Sequence, residues 1–306
     1  MKRLTLATIA LTSFLVYIGV SGCGGGGGGS SSTTNTTIDT NTTDTNTTIN
    51  HPPISFENVK RGDLFYYLGK PTNLNDPSLY PTLGFNYSLI VIDMEDSTET
   101  EISQLQTNGK FVVCYVDAGT WEGWRSDAAL FPEETKGLAD EGWADEQWLD
   151  ITNPTVLSLI EKRIDRTAEK GCDGIEFDNI DGWSPSNNTG FTITAQQQIT
   201  FNTTIAQYAH SKNLITAFKT DVEQIADLEP YFDMAINESC HFYGECNKYE
   251  NFAQSKPVFD IEYIDGTDVN ATAITPPNLH AQTDFFKSYL SNIALDGTYY
   301  VKLPLP

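Results

Sequence analysis

The chain has 306 residues, with 41 Asp and Glu against 18 Lys and Arg, a formal charge of −23 and 39% hydrophobic residues. So acidic a surface repels nucleic acid and attracts polycations, which removes nucleic acid as a partner. Only four histidines and five cysteines are present, with no pair at zinc-ligand spacing, so neither a metal nor a cofactor is expected.

Met1 to Arg3 is basic, Leu4 to Val20 is mostly apolar, and Val20-Ser21-Gly22-Cys23 ends the run in small residues and a cysteine. The apolar run is short and stops at a processing site, so residues 1–22 read as a secretory signal peptide. The cysteine at the cut resembles a bacterial lipoprotein box. It predicts lipidation of Cys23 and an exported protein held on the membrane of the cell envelope by lipid. An ordinary signal peptide ahead of a chance cysteine is the alternative. Residues 23–52, almost wholly Gly, Ser, Thr, Asn and Asp, bury too little apolar surface to order, and read as a flexible tether that suits a monomer. Residues 53–306 then form a single domain.

Within that domain, apolar runs bounded by turn residues predict strands at Leu64–Leu68, Leu89–Met94, Phe111–Asp117, Gly174–Asn179, Ile215–Thr220, Met234–Glu238, Val258–Tyr263 and Thr298–Leu303. Thr155–Lys170 is an amphipathic helix with Val156, Leu159, Ile160 and Ile164 on one face, stopped by Lys170-Gly171. Gln196–Lys212 is a second. Strand and helix alternating around eight strands predict an α/β protein of the (β/α)8 TIM-barrel class. The competing open doubly wound sheet needs a glycine-rich phosphate loop after its first strand, and "LFYYLGKPTNLND" is not one. Cys240 and Cys246 bracket "HFYGE", a loop that a disulfide can close, whereas Cys114 sits in an apolar strand pattern and reads as simply buried.

The acids stand out. "GCDGIEFDNIDGW" carries Asp173, Glu176, Asp178 and Asp181 in one short stretch. Side chains alternate along a strand, so Ile175 and Phe177 pack under the helices while Glu176 and Asp178 turn toward the barrel axis. They do so near the C-terminal strand end, where barrel active sites are built. Asp173, ahead of the strand, serves the turn or the lower face. The pattern recurs with Tyr115 and Asp117, Lys219 and Asp221, Glu238, Asp260 and Glu262, and Asp93. Clustered buried like charges cost stability unless paired or protonated, so convergence of this kind signals a site.

A set of carboxylates with no Ser-His, Cys-His or metal signature points to glycoside hydrolysis, in which one carboxyl protonates the leaving oxygen and another attacks the anomeric carbon or activates water. Trp121, Trp124, Trp143, Trp148, Trp183 and Tyr243 fall in or beside the βα loops, where their faces suit sugar rings.

The blocks "VCYVDAGTWEGWRSDAALFP", "WADEQWLDI", "GCDGIEFDNIDGW", "TGFTITAQQQITFN", "LITAFKTD" and "MAINESCHFYGEC" resemble, in order, glycoside hydrolase family 114, endo-α-1,4-polygalactosaminidases of TIM-barrel type. The resemblance covers roughly Asp63 to Tyr263. It implies Asp178 as nucleophile and Glu238 as general acid/base of a retaining mechanism; the division of roles between the two rests on the resemblance alone. Glu176, Asp117, Asp181, Lys219 and Asp221 would line the subsites, with Trp121, Trp124, Arg125 and Tyr243 near the rim. Tyr115, Asn179 and Glu262 complete the candidate substrate-binding set. Phe177 stands where Pro is common in the family, a change of packing on the helix side. The implied partner is a cationic or partly acetylated galactosamine polysaccharide, in keeping with the acidic balance. Two other readings remain, a catalytically silent glycan-binding surface protein and a hydrolase of the same mechanism acting on a different hexosamine polymer.

Overall fold

A computed structural model describes residues 54–69, 85–265 and 280–303. The signal peptide, Cys23 and the tether lie outside the described residues. Among those described, no helix is long and apolar enough to cross a membrane.

A short helix α1 (Phe56–Val59) precedes β1 (Leu64–Tyr66) and β2 (Leu89–Asp93), and α2 (Glu99–Thr107) leads to β3 (Phe111–Asp117). A small insert follows, made of β4 (Thr120–Glu122), β5 (Lys136–Ala139) and β6 (Glu146–Leu149). Then come α3 (Pro154–Glu169), β7 (Gly174–Asp178), α4 (Ala195–Ser211), β8 (Ile215–Phe218), α5 (Ile225–Leu228), β9 (Met234–Glu238), α6 (Cys240–Tyr243), β10 (Val258–Tyr263), β11 (Phe286–Ser291) and β12 (Tyr300–Lys302).

One sheet runs β1-β2-β3-β7-β8-β9-β10-β11-β12, all parallel except β12, and β4-β6-β5 form a separate antiparallel sheet. The large sheet is a nearly closed barrel. Side chains span its seam: the Leu64 N–H donates to the Tyr289 hydroxyl at 3.0 Å, and Lys287 Nζ donates to the carbonyls of Arg61 and Gly62 at 2.6 and 2.8 Å. Tyr300 stands edge-on to Phe65, centroids 5.1 Å apart.

Two expectations need correction. The eighth parallel strand is Phe286–Ser291, and Thr298–Leu303 instead contributes Tyr300–Lys302, which folds back antiparallel on it. "FKSYLS" interleaves Lys and Ser with its apolar residues, so neither a continuous apolar run nor an alternation of acids marks it as a strand. The helical ring is also uneven, since α5 and α6 are single turns beside the long α3 and α4.

The long helices form where their caps say they should. Asn153 accepts the Thr155 N–H, with Pro154 at the first helical position of α3. Gly171, at φ +84, supplies the left-handed stop after it. Thr98 with Glu101 and Thr194 with Gln197 form capping boxes on α2 and α4. Val156, Leu159, Ile160 and Ile164 of α3 are buried in one core with Ile175 and Phe177.

Cys114 is not a free buried thiol. It is bridged to Cys172, Cα atoms 6.1 Å apart, tying β3 to the turn before β7. The bridge spans 58 positions, and the second, Cys240–Cys246, spans 6. Loop-closure entropy assigns about 4 kcal/mol to the first and about 2 kcal/mol to the second.

Candidate active site

Ladder register decides what faces the axis, because paired residues of parallel strands point to the same side. Asp117 pairs with Asp178 and Tyr115 with Glu176; Glu176 pairs with Ala217, and Ile261 with Glu238. Asp178 and Glu238 therefore end β7 and β9 facing inward, and Lys219 follows the end of β8 on the same side. In each case the next residue, Asn179, Thr220 or Ser239, has a left-handed φ of 55, 65 or 62°. For a non-glycine residue that costs about 1–2 kcal/mol. The turn peels the chain off the sheet while leaving the charged side chain aimed at the axis. Local bonds help to hold it: the Asn179 N–H donates to Asp178 Oδ1 at 2.8 Å and the Ile180 N–H to the Thr220 hydroxyl at 3.1 Å. Gly119 is required beside this turn, since a Cβ there would lie 1.6 Å from the Asn179 carbonyl oxygen.

The centre is built on one ammonium. Lys219 Nζ lies 3.0 Å from Asp178 Oδ2, 3.3 Å from Glu238 Oε2 and 3.8 Å from Glu176 Oε1. One ammonium thus gathers an oxygen of Asp178 and an oxygen of Glu238 at the C-terminal ends of their strands. Each carboxylate also takes a phenol: Tyr66 donates to Glu176 at 3.0 Å, Tyr115 to Asp178 at 2.9 Å, and Tyr263 to Glu238. Burial alone would push the Lys219 pKa down, but the charges of Asp178 and Glu238 override it and hold it well above the ordinary lysine value.

Of the other candidate residues, Asn179 Nδ2 donates to Asp117 Oδ2 at 2.7 Å. Glu176 is completely buried and does not line a subsite. Glu262 does not face the axis: its Oε1 accepts the His241 N–H at 2.6 Å under α6, and Tyr263 holds the inward position instead. The Ile261–Glu238 pairing sets that parity. Asp221 is buried and occupied by Trp183 Nε1 at 2.9 Å and Asn202 Nδ2 at 3.0 Å, so it braces loops rather than meeting a sugar. Asp181, also buried, lies near enough to raise the Asp221 pKa, which burial first pushes to about 8. Arg125 is shared between Asp93, at 2.8 Å, and Glu122, at 2.5 and 2.7 Å. Trp121 is half-buried with Lys136 4.3 Å over its ring, whereas Trp124, Trp143 and Tyr243 are exposed. Tyr66 was absent from the candidates, since nothing in "LFYYL" separates a barrel-lining phenol from a packed one.

A second carboxyl group sits beside the centre. The Thr120 hydroxyl lies 2.5 Å from Asp117 Oδ2 and 2.9 Å from Glu146 Oε2. It has one proton to give, so one of the two contacts is donated by a carboxyl proton. Burial, then the charges of Glu122 and Asp178, raise Asp117 to about 7; burial, then Asp117 and Glu122, raise Glu146 to about 9. Groups held protonated in the folded state and ionised in the unfolded state above about pH 4 make stability fall as pH rises, through pH 7 and on to 9. Tm is therefore expected to drop by about 5 °C or more between pH 5 and pH 8, and Glu146→Gln to flatten the slope. A Tm that is level across this range in scanning calorimetry contradicts the assignment.

Among the described residues two groups have metal-binding proximity, Asp117 with Glu122 and Glu146, and Cys240, His241, Cys246 with Asp260. In the first Glu122 is engaged by Arg125, and in the second both sulfurs are in a disulfide. A cavity of about 650 Å³ lies at the opposite, N-terminal end of the barrel, lined by Phe56, Phe111, Asp173, Ile215 and Asp233. Asp173 Oδ2 accepts the Val112 N–H there at 2.8 Å, a lower-face structural role. Strand N-termini carry stability rather than chemistry in such barrels, so this cavity is not the reaction site.

The model of glycoside-hydrolase family GH114 matches residues 50–303. The Ega3 protein of Aspergillus fumigatus, solved in complex with galactosamine, superposes with a TM-score of 0.68 at 27% identity, covering 79% of this chain and 95% of that one. The glycoside hydrolase domain of PelA from Pseudomonas aeruginosa shares the fold at a TM-score of 0.55 and 15% identity, covering 76% of this chain and 96% of the domain. An uncharacterised protein of Methanocaldococcus jannaschii, MJ1477, is 28% identical over 140 residues, which span 42% of this chain and 40% of that protein.

Proposed function

Since the chain belongs to glycoside-hydrolase family GH114 and is a glycosidase, we propose that it cuts α-1,4-linked galactosamine-containing polysaccharide internally by a retaining mechanism. Glu238 protonates the glycosidic oxygen while Asp178 attacks the anomeric carbon from the other face. Water, deprotonated by Glu238, then releases the glycosyl-enzyme with the original configuration. The observation that carries this reading is the convergence of two carboxyl groups on one lysine, 3.0 and 3.3 Å from its Nζ, the paired arrangement that glycoside hydrolysis needs.

The choice of a cationic sugar is supported by the formal charge of −23 and by the galactosamine bound to Ega3. It draws less on local acids than the sequence implied, because Glu176 and Asp221 are buried and engaged, and Glu262 faces away. The expected result is release of mixed oligosaccharides from de-N-acetylated polygalactosamine, with the α-anomer appearing first by proton NMR. Faster cleavage of fully acetylated or gluco-configured polymer redirects the substrate, first appearance of the β-anomer removes retention, and binding without any product leaves a glycan-binding module.

A further inference from the structure

Glu176 has no route to a sugar. It lies two residues before Asp178 on β7, fully buried, with Tyr66 and Lys219 against it. The Tyr66 hydroxyl orders the three groups. It gives its one proton to Glu176 Oε1 at 3.0 Å and accepts from Lys219 Nζ at 3.1 Å. Lys219 is therefore held on one side by Tyr66 and on the other by Asp178 and Glu238, with its ammonium 5.5 and 5.3 Å from the ring centroids of Tyr66 and Tyr115. Its direct contact with Glu176, at 3.8 Å, is the longest of its three carboxylate contacts.

We propose that Glu176 is a positioning residue: in its neutral form it fixes, through Tyr66, the ammonium of Lys219 between Asp178 and Glu238, and leaves that charge to the reacting pair. The inference rests on the assignment of Asp178 and Glu238 as that pair. A buried ionised carboxylate would compete for the same ammonium. It would also leave Oε2, which has no hydrogen-bond partner, as an unsolvated anion at a cost far above that of a neutral oxygen. The titratable groups around Glu176 are Tyr66 from β1, Tyr115 as its ladder partner on β3, Asp178 beyond it on its own strand, Lys219 after β8 and Glu238 from β9. Burial first, and the charges of Asp178 and Glu238 after it, raise its pKa to about 8 against the opposing pull of Lys219.

The test compares Glu176→Gln, Glu176→Ala and Tyr66→Phe on a polymer the wild type cleaves. At pH 6 the amide, which keeps the acceptor for Tyr66 and mimics the protonated acid, retains kcat within about 3-fold. The alanine loses about 10²-fold in kcat with KM little changed, the penalty of a misplaced catalytic group. Above pH 8 the ratio of Glu176→Gln to wild-type kcat rises, because the wild-type acid ionises and draws Lys219 toward itself. If the alanine variant does not fold, Tyr66→Phe supplies the same reading, a fall in kcat at constant KM. Wild-type kcat in Glu176→Ala or Tyr66→Phe, or an amide as impaired as the alanine at pH 6, overturns the proposal. A wild type that cleaves nothing refutes the glycosidase pair instead.

Discussion

Asp178→Asn is expected to reduce polymer cleavage by on the order of 10³-fold or more, with substrate binding retained. The change keeps size and leaves the Tyr115 and Lys219 donors in place, so the barrel should fold as before. What it removes is the proposed nucleophile. Glu238→Gln should lose a similar factor on the polymer, because the amide cannot protonate a poor leaving group. The two variants separate on an activated aryl glycoside. There the first step needs little acid assistance, so Glu238→Gln recovers bond cleavage and accumulates glycosyl-enzyme, while Asp178→Asn stays inert. Burst kinetics and intact-protein mass spectrometry read both effects. Recovery by Asp178→Asn rather than Glu238→Gln exchanges their roles, and near-wild-type turnover in either variant dismisses the pair.

Lys219→Met should be the most damaging change outside the two acids, and it should damage in two ways. The ammonium is buried, and its removal leaves Asp178 and Glu238 facing each other without a cation. Breaking a buried pair from one side costs on the order of 3 kcal/mol, which in a domain of this size lowers Tm by about 5–10 °C. Without the ammonium the two carboxyl groups lose the group that holds both of them in place. Cleavage of the polymer is therefore expected to fall about 10²-fold in kcat with KM little changed, as for a misplaced catalytic group. A variant that loses stability but keeps near-wild-type kcat shows that Lys219 packs the site and does not position the pair.

Much of this site was legible in the chain. The alternation in "GIEFD" put Glu176 and Asp178 on the barrel side, and "KTD" and "NES" marked where further charged side chains would emerge. The ends of β7 and β9 carry those acids, and Lys219 directly follows β8. Less visible was how each acid is satisfied. A phenol donating to a carboxyl oxygen on another strand joins residues 110 apart for Tyr66 and Glu176, and 63 apart for Tyr115 and Asp178. No local pattern encodes such a pair.

What the sequence by itself determined was seven of the barrel's eight parallel strands, its two long helices and the side to which β7 turns its acids. These depend on periodicity, capping and turn chemistry within a few residues. Only the tertiary structure decided that Tyr263 rather than Glu262 faces the axis, that Lys219 joins Asp178 to Glu238, that Glu176 lies beneath them out of a sugar's reach, and that Cys114 is bridged to Cys172. In β10 every residue is buried, so burial carries no mark of which face is inside. Parity there comes from the hydrogen-bond register with β9, a relation between strands that exists only once the barrel is assembled.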